Sequence, residues 1–272
     1  MTDPRLVPDR ERPGAWIVRV GGTDQSYVDP DDPTWLEFDY VQRLAAVVDG
    51  VAAPGRRIRA VHVGGAGLTL PRYIAATRPT SSQIVFEPDV TLTAAVRAVV
   101  PLPPRSGIKV RPLDGRSGFA GLREDSADLV IVDAFAGASV PGELVTREWL
   151  AEVRRVVGAA GTVALNLTDH APFGWSRRVV AGVVEQFGGP GSEVTLAAES
   201  ATLKGRRFGN LIVAAGPSLD VAVLTRRAAA AAFPYRVLSG AELARWLGGA
   251  KPFTDADQAP SPPPPEGPTV FR

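Results

Sequence analysis

The chain has 272 residues, 45% of them apolar and 22% charged, which is the composition of a folded domain and not of a disordered or fibrous chain. Thirty Lys and Arg against 29 Asp and Glu leave a net charge of +1, so no electrostatic surplus points to nucleic acid or an anionic membrane, and neither partner is expected. There is no cysteine and there are two histidines, His62 and His170, which excludes disulfides and thiolate chemistry; no metal is expected, and catalysis must rest on carboxylates, tyrosine, amides and backbone.

Residues 1–13 read as a loose polar arm, and the opening Met1-Thr2-Asp3-Pro4-Arg5 carries no apolar stretch of the signal-peptide type, so a cytoplasmic location is expected. Apolar runs break well short of the roughly 20 residues that span a bilayer. Residues 15–20 predict a short strand ended by Gly21-Gly22, and residues 27–33 are turn chemistry. Residues 35–48 place Leu36, Tyr40, Leu44, Val47 and Val48 at helical spacing. From residue 58 strands and helices alternate: strands at 59–63, 84–87, 109–111 and 127–133, helices at 68–77, 89–99 and 117–123. A helix over 143–157 stops at Gly158-Ala159-Ala160-Gly161, a fifth strand follows at 162–167 and a helix at 175–187. Two closing strands, 194–198 and 210–214, lie close enough to be antiparallel, and 219–232 and 241–247 read as helices. The stretch 258–268, with Pro260, Pro262, Pro263, Pro264, Pro265 and Pro268, reads as a solvated polyproline-like tail. The predicted organisation is a strand/helix region over 1–50, an α/β domain over 51–250 with a parallel, doubly wound sheet, and a Pro-rich tail over 251–272. Such a sheet binds ligands at the carboxyl ends of its strands, where strand order reverses.

The residues expected there carry the chemistry. The strand Ala60-Val61-His62-Val63 runs into Gly64-Gly65-Ala66-Gly67 and then into a helix, a glycine turn over which a ligand can lie close to the backbone. Glu87 ends the next strand, 23 residues after Gly64, where an acid accepts ribose hydroxyls or caps the following helix. Asp114, before Gly115, follows the third strand and suits the amine of an adenine or an Asp-Gly turn; Asp133 ends the fourth strand at the mouth of the cleft. A dinucleotide calls for G-x-G-x-x-G, but Leu70 occupies the last position and no Arg or Lys lies between the glycine turn and Arg72 to meet a phosphate, which favours an S-adenosyl ligand. His170, Trp175 and Phe173 could reach the cleft or be structural; His62 is expected to be buried, and Arg206-Arg207 to be a solvated edge.

The succession Gly21-Gly22-Thr23-Asp24-Gln25-Ser26, Glu37-Phe38-Asp39-Tyr40, Val63-Gly64-Gly65-Ala66-Gly67, Phe86-Glu87-Pro88-Asp89, Ile131-Val132-Asp133, Pro141-Gly142-Glu143-Leu144-Val145-Thr146 and Gly161-Thr162-Val163-Ala164-Leu165-Asn166 resembles the spermidine synthases, the polyamine aminopropyltransferases. The resemblance implies a small N-terminal β-domain followed by a Rossmann-like, methyltransferase-type domain, usually a homodimer. It implies transfer of an aminopropyl group from decarboxylated S-adenosylmethionine to putrescine or a similar small amine, without a metal. By that resemblance Gln25, Gly64, Gly65, Gly67, Glu87, Asp114, Gly115 and Asp133 would bind the nucleoside co-substrate, while Asp133 and Tyr40 would orient and deprotonate the amine. Three positions depart from the family: Gly67 replaces an Asp, Ala136 replaces the second acid of Asp-x-x-Asp, and Val41-Gln42 replaces Gln-Glu. Alternatives on the same scaffold are a methyltransferase that uses S-adenosylmethionine on an unknown acceptor, and an inactive nucleoside-binding homologue.

Overall fold

In the computed structural model, which describes residue 3, residues 5–217 and residues 219–265, the N-terminal segment is a three-stranded antiparallel sheet: β1 (Leu6–Pro8), β2 (Trp16–Val20) and β3 (Thr23–Val28). Within the expected loose arm, Leu6–Pro8 is therefore a strand. Leu6 and Val18 are buried against Leu92 and Val96, and Arg5 reaches Asp89 at 3.0 Å, which fastens this sheet to the large domain. The polar strand β3 carries no apolar alternation and exists because β2 pairs with it.

Helix α1 (Asp39–Val51) buries Val41, Leu44, Val47 and Val48 against the large sheet. That sheet takes β4 (Arg59–Val63), β5 (Ser82–Phe86), β6 (Ile108–Arg111), β7 (Leu129–Val132), β8 (Thr162–Asp169), β9 (Glu193–Glu199), β10 (Gly209–Gly216) and β11 (Tyr235–Ser239). Their order is β11-β9-β10-β8-β7-β4-β5-β6. Strands β8, β7, β4, β5 and β6 are parallel, whereas β10, β9 and β11 pair antiparallel. From β4 the chain steps outward to β5 and β6, then returns to β7 on the other side of β4. The crevice between the tips of β4 and β7 is thus the switch point where ligands of such sheets bind.

The buried runs Leu129–Val132 and Thr162–Asp169 have no exposed face, as expected of strands covered on both sides. Over one face lie α1, α2 (Thr69–Thr77) and α8 (Val221–Ala230). Over the other lie α4 (Gly115–Ala120), α5 (Arg147–Val157), α6 (Gly174–Phe187) and α9 (Gly240–Leu247), packed around Trp149, Phe119 and Phe187. Helix α3 (Val90–Val99) follows β5 and packs on the N-terminal sheet, and α7 (Ser200–Leu203) is a single turn. Arg78 is fully buried and donates to the carbonyls of Val48 and Ala52 and to Asp49, closing the C-terminal end of α1. Among the described residues no helix is long and apolar enough to cross a membrane.

The described part of the segment after α9, up to residue 265, is anchored to the domain at Phe253 and Ser261 and not wholly solvated. Phe253 is buried and carries the Arg178 guanidinium 3.9 Å from its ring centroid. The Asp255 carboxylate accepts hydrogen bonds from Arg116 and Thr146, and Trp175 Nε1 donates to the Ala259 carbonyl at 2.8 Å. Buried Ser261 brackets Val140 by donating its own N–H to the Val140 carbonyl and accepting from the Val140 N–H. Proline cannot extend a helix or a central strand, yet an extended Pro-rich chain fits a shallow groove. Pro268 lies outside the described residues. The Phe253→Ala variant is expected to lose ~3–5 kcal/mol in urea denaturation; a loss under ~1 kcal/mol would mean that this segment does not pack on the domain.

Candidate functional site

The glycine turn exists because two backbones meet. Gly64 has φ +91°, and a Cβ there would lie 2.1 Å from the Asp133 carbonyl oxygen, so only glycine lets the tip of β4 pass that of β7. Asp133 N–H donates to the Val63 carbonyl at 2.9 Å, tying the β7 tip to that of β4, and Gly64 N–H donates to the Phe86 carbonyl at 2.9 Å, tying β4 to the end of β5. Ala66 and Leu68 also have positive φ, 32° and 62°, strain held by the surrounding structure just before α2.

Glu87 folds back onto this turn. One carboxylate oxygen accepts from the N–H groups of Gly65 and Ala66 at 2.9 and 3.1 Å, the other from that of Asp89 at 2.9 Å. Asp114 caps α4, accepting from the Ser117 N–H at 2.9 Å and hydroxyl at 2.6 Å, bonds that hold its carboxyl below the usual range. Asp133 is placed differently. Loss of solvation lifts its carboxyl to about 6, partly offset by Asn166, whose Nδ2 donates to it at 2.8 Å. Tyr40 faces the same space, its hydroxyl 3.3 Å from the Gln25 carbonyl; burial, and then the charge of Asp133, push its phenol well above the ordinary range, so it stays protonated.

These groups share one cavity of about 430 Å³, roofed by Gln25 and Ser26 of the N-terminal sheet. Of the expected site residues, Gln25, Tyr40, Gly64, Gly65, Glu87, Asp114, Gly115 and Asp133 line it, and Gly67 does not. A Cβ on Gly67 would lie 2.6 Å from Val28 and 2.7 Å from the Ser26 hydroxyl, so the N-terminal sheet fills the space a longer side chain would need. Ser26 in turn bonds Thr69, which donates to the Tyr27 carbonyl. Among the described residues five carboxylates line the cavity (Glu87, Asp89, Asp114, Asp133 and Glu143), and no Lys or Arg does. Arg72 turns away to the carbonyls of Val100 and Pro101.

Sequence reasoning gave no role to Phe135, Leu92, Glu143 or His62 as cavity walls. His62 is buried, bonded to Gln83 at 3.0 Å, and neutral because burial lowers its imidazole to about 4. Trp175 and Phe173 pack in the core and His170 lies on the surface, all three away from the cavity. Arg207 pairs with Glu199 at 3.1 Å.

No family model matches the chain. It is 28% identical over 152 residues to a polyamine aminopropyltransferase of Vibrio vulnificus (strain CMCP6), a match covering 53% of this chain and 50% of that protein. The chain thus spans about half the length of the curated relative it matches. The crystal structure of a probable spermidine synthase from Corynebacterium glutamicum ATCC 13032 superposes with TM-score 0.83 at 26% identity, over 92% of both chains. Human methyltransferase-like protein 13 in complex with SAH shares the fold, with TM-score 0.57 at 18% identity over 80% of this chain and 96% of that one.

The Asp133 carboxyl titrates higher in the folded protein than the ordinary 3.8, so folding costs stability at any pH high enough for the unfolded chain to have lost this proton. That cost is absent below about pH 4, grows between pH 4 and 6, and is complete above. The Asp133→Asn variant is therefore expected to melt a few degrees higher than the parent at pH 8 and together with it at pH 4, measured by calorimetry. Equal melting points at pH 8 would mean that Asp133 is not desolvated. By sequence and by structure the chain resembles the spermidine synthases, on the fold that methyltransferases share.

Proposed function

We propose that the chain is a spermidine synthase-like transferase that moves an aminopropyl group from decarboxylated S-adenosylmethionine to a small amine, nominally putrescine. The observation that carries this reading is the single cavity lined by five carboxylates and no Lys or Arg. Intact S-adenosylmethionine carries a carboxylate that finds no cationic side chain on these walls, whereas its decarboxylated form has two positive charges and none negative. The same walls attract an amine acceptor, so methyl transfer from the intact donor is the less favoured reading. The reading includes the expected homodimer in the cytoplasm.

The donor supplies a carbon activated by an adjacent sulfonium. In this reading Glu87 faces the ribose, Asp114 and Gly115 the adenine, and Gln25 the aliphatic arm. The backbone N–H groups that Glu87 occupies leave its oxygens further lone pairs for hydroxyl donors. The acceptor nitrogen attacks the propyl carbon with its lone pair, the carbon–sulfur bond breaks towards sulfur, and a neutral thioether nucleoside leaves. The amine's proton goes to Asp133, whose raised affinity for protons makes it a better base than a surface carboxylate while it remains ionised at neutral pH. Tyr40, being protonated, cannot take that proton; it orients the amine. Positioning the two reactants contributes up to ~7–11 kcal/mol.

Incubating the protein with either donor and a panel of amines, followed by mass spectrometry, should yield an aminopropylated amine and methylthioadenosine from the decarboxylated donor alone. Asp133→Asn is expected to lower transfer by ~100-fold or more and to leave nucleoside affinity within about tenfold. Glu87→Ala should weaken nucleoside binding by ~1.5–3 kcal/mol in calorimetry. The reverse pattern would exchange the donor and acceptor sides, and methylated product from the intact donor would overturn the reading.

A further inference from the structure

Behind Asp133, on the side away from the cavity, stands a row of amides that the proposed reaction does not yet use. Strands β7 and β8 pair Val132 with Leu165, so Asn166 is the next rung beside Asp133. Strands β8 and β10 pair Thr168 with Asn210 and Asn166 with Ile212, which puts Asn210 diagonal to Asn166 on the same face. Asn210 Nδ2 donates to Asn166 Oδ1 at 2.9 Å, and Asn166 Nδ2 donates to Asp133 Oδ1 at 2.8 Å. Asn166 is 1% exposed and does not line the cavity, whereas Asp133 does.

We propose that Asn166 is the positioning residue for Asp133 and that Asn210 sets the direction in which Asn166 acts. A carboxamide can turn either end towards a neighbour. Turned one way it donates to Asp133 and favours the carboxylate; turned the other it presents a carbonyl oxygen and favours the protonated acid. The Asn210 N–H₂ occupies the Asn166 oxygen, which leaves only the donating end for Asp133. One Asp133 oxygen is thereby held against the sheet, and the other is free to face the cavity. The arrangement keeps an acid in a desolvated place ionised near neutral pH, which a base needs.

The other titratable groups sharing the cavity are Tyr40 of α1, His62 of β4, Glu87 and Asp89 after β5, Asp114 before α4, and Glu143. His62 is neutral and Tyr40 protonated, and the remaining four are carboxylates, so none of them supplies a positive charge that would keep Asp133 ionised. The one bond to the Asp133 side chain among the described hydrogen bonds comes from Asn166.

This inference rests on Asp133 being the base, and the test separates the two ideas. Asn166→Leu and Asn210→Leu keep side-chain size and remove one donor each. The Asp133 carboxyl is titrated by carbon-13 NMR, with its signal assigned by its loss in Asp133→Asn, and the pH profile of kcat/KM is measured with decarboxylated S-adenosylmethionine and putrescine. Asn166→Leu is expected to move the NMR midpoint and the acidic break of the profile upward together, by about one pH unit. Asn210→Leu should move both in the same direction by less, with turnover at pH 8.5 within about threefold of the parent. A merely structural pair would lower the melting temperature and leave midpoint and break within about 0.2 pH unit, which overturns the proposal. Asn210 is only half-buried, so its variant decides the matter if Asn166→Leu does not fold. A midpoint that moves in a protein without transfer activity keeps the amide relay and overturns the reading of Asp133 as the transfer base.

Discussion

The contact on which the site depends is the passage of the β4 tip against the β7 tip, where Gly64 leaves no room for a side chain beneath the Asp133 carbonyl. Because that carbonyl would sit 2.1 Å from a Cβ, the two backbones are locked at a distance no other residue tolerates. Two consequences follow from one omission. The glycine turn opens its N–H groups towards Glu87 instead of closing on its own strand, and Asp133 is delivered to the switch point with its side chain at the cavity. Residues from β4, β5 and β7 then share one space although they lie far apart in the chain.

The N-terminal sheet completes this space, and it also limits it. Ser26 and Val28 occupy the volume beside Gly67, and Ser26 is tied to Thr69 at the start of α2 at 2.8 Å. A carboxylate at position 67 would have to displace both. The glycine at this position, where the resemblance implies an acid, thus sits directly against side chains of β3. Among the described residues the walls still carry acidic side chains and no Lys or Arg without that acid.

Much of this was legible from residues alone, for reasons that differ between elements. Strand β4 and helix α2 were readable because the largely apolar run Ala60-Val61-His62-Val63 ends in glycines and gives way to a 3.6-residue period. The strand-end acids were readable because topology, not side-chain detail, sends them to one place. What escaped lacked local pattern. Strand β1 has three residues, β3 reads as polar, and β11 is an edge strand whose pairing with β9 defines it. The segment 253–261 escaped because proline content says which structures a chain cannot form, and says nothing of the groove it fits. Asn166 and Asn210 were invisible as a pair, since their contact depends on the register of β8 with β10.

Asp133 shows how such a site balances stability against reactivity. Desolvation lifts its carboxyl to about 6, at a cost to the fold above that pH, while the hydrogen bond from Asn166 pulls the other way. Either influence alone would give a poorer base: desolvation without the donor would hold the proton more tightly, and full solvation would leave a weak acceptor of protons. Tyr40 lies beyond the same compromise. It carries no such donor, so burial and the neighbouring charge act in one direction and keep it a hydroxyl. The two side chains are thereby assigned different work by their surroundings, one to accept a proton and the other to hold the group that gives it up.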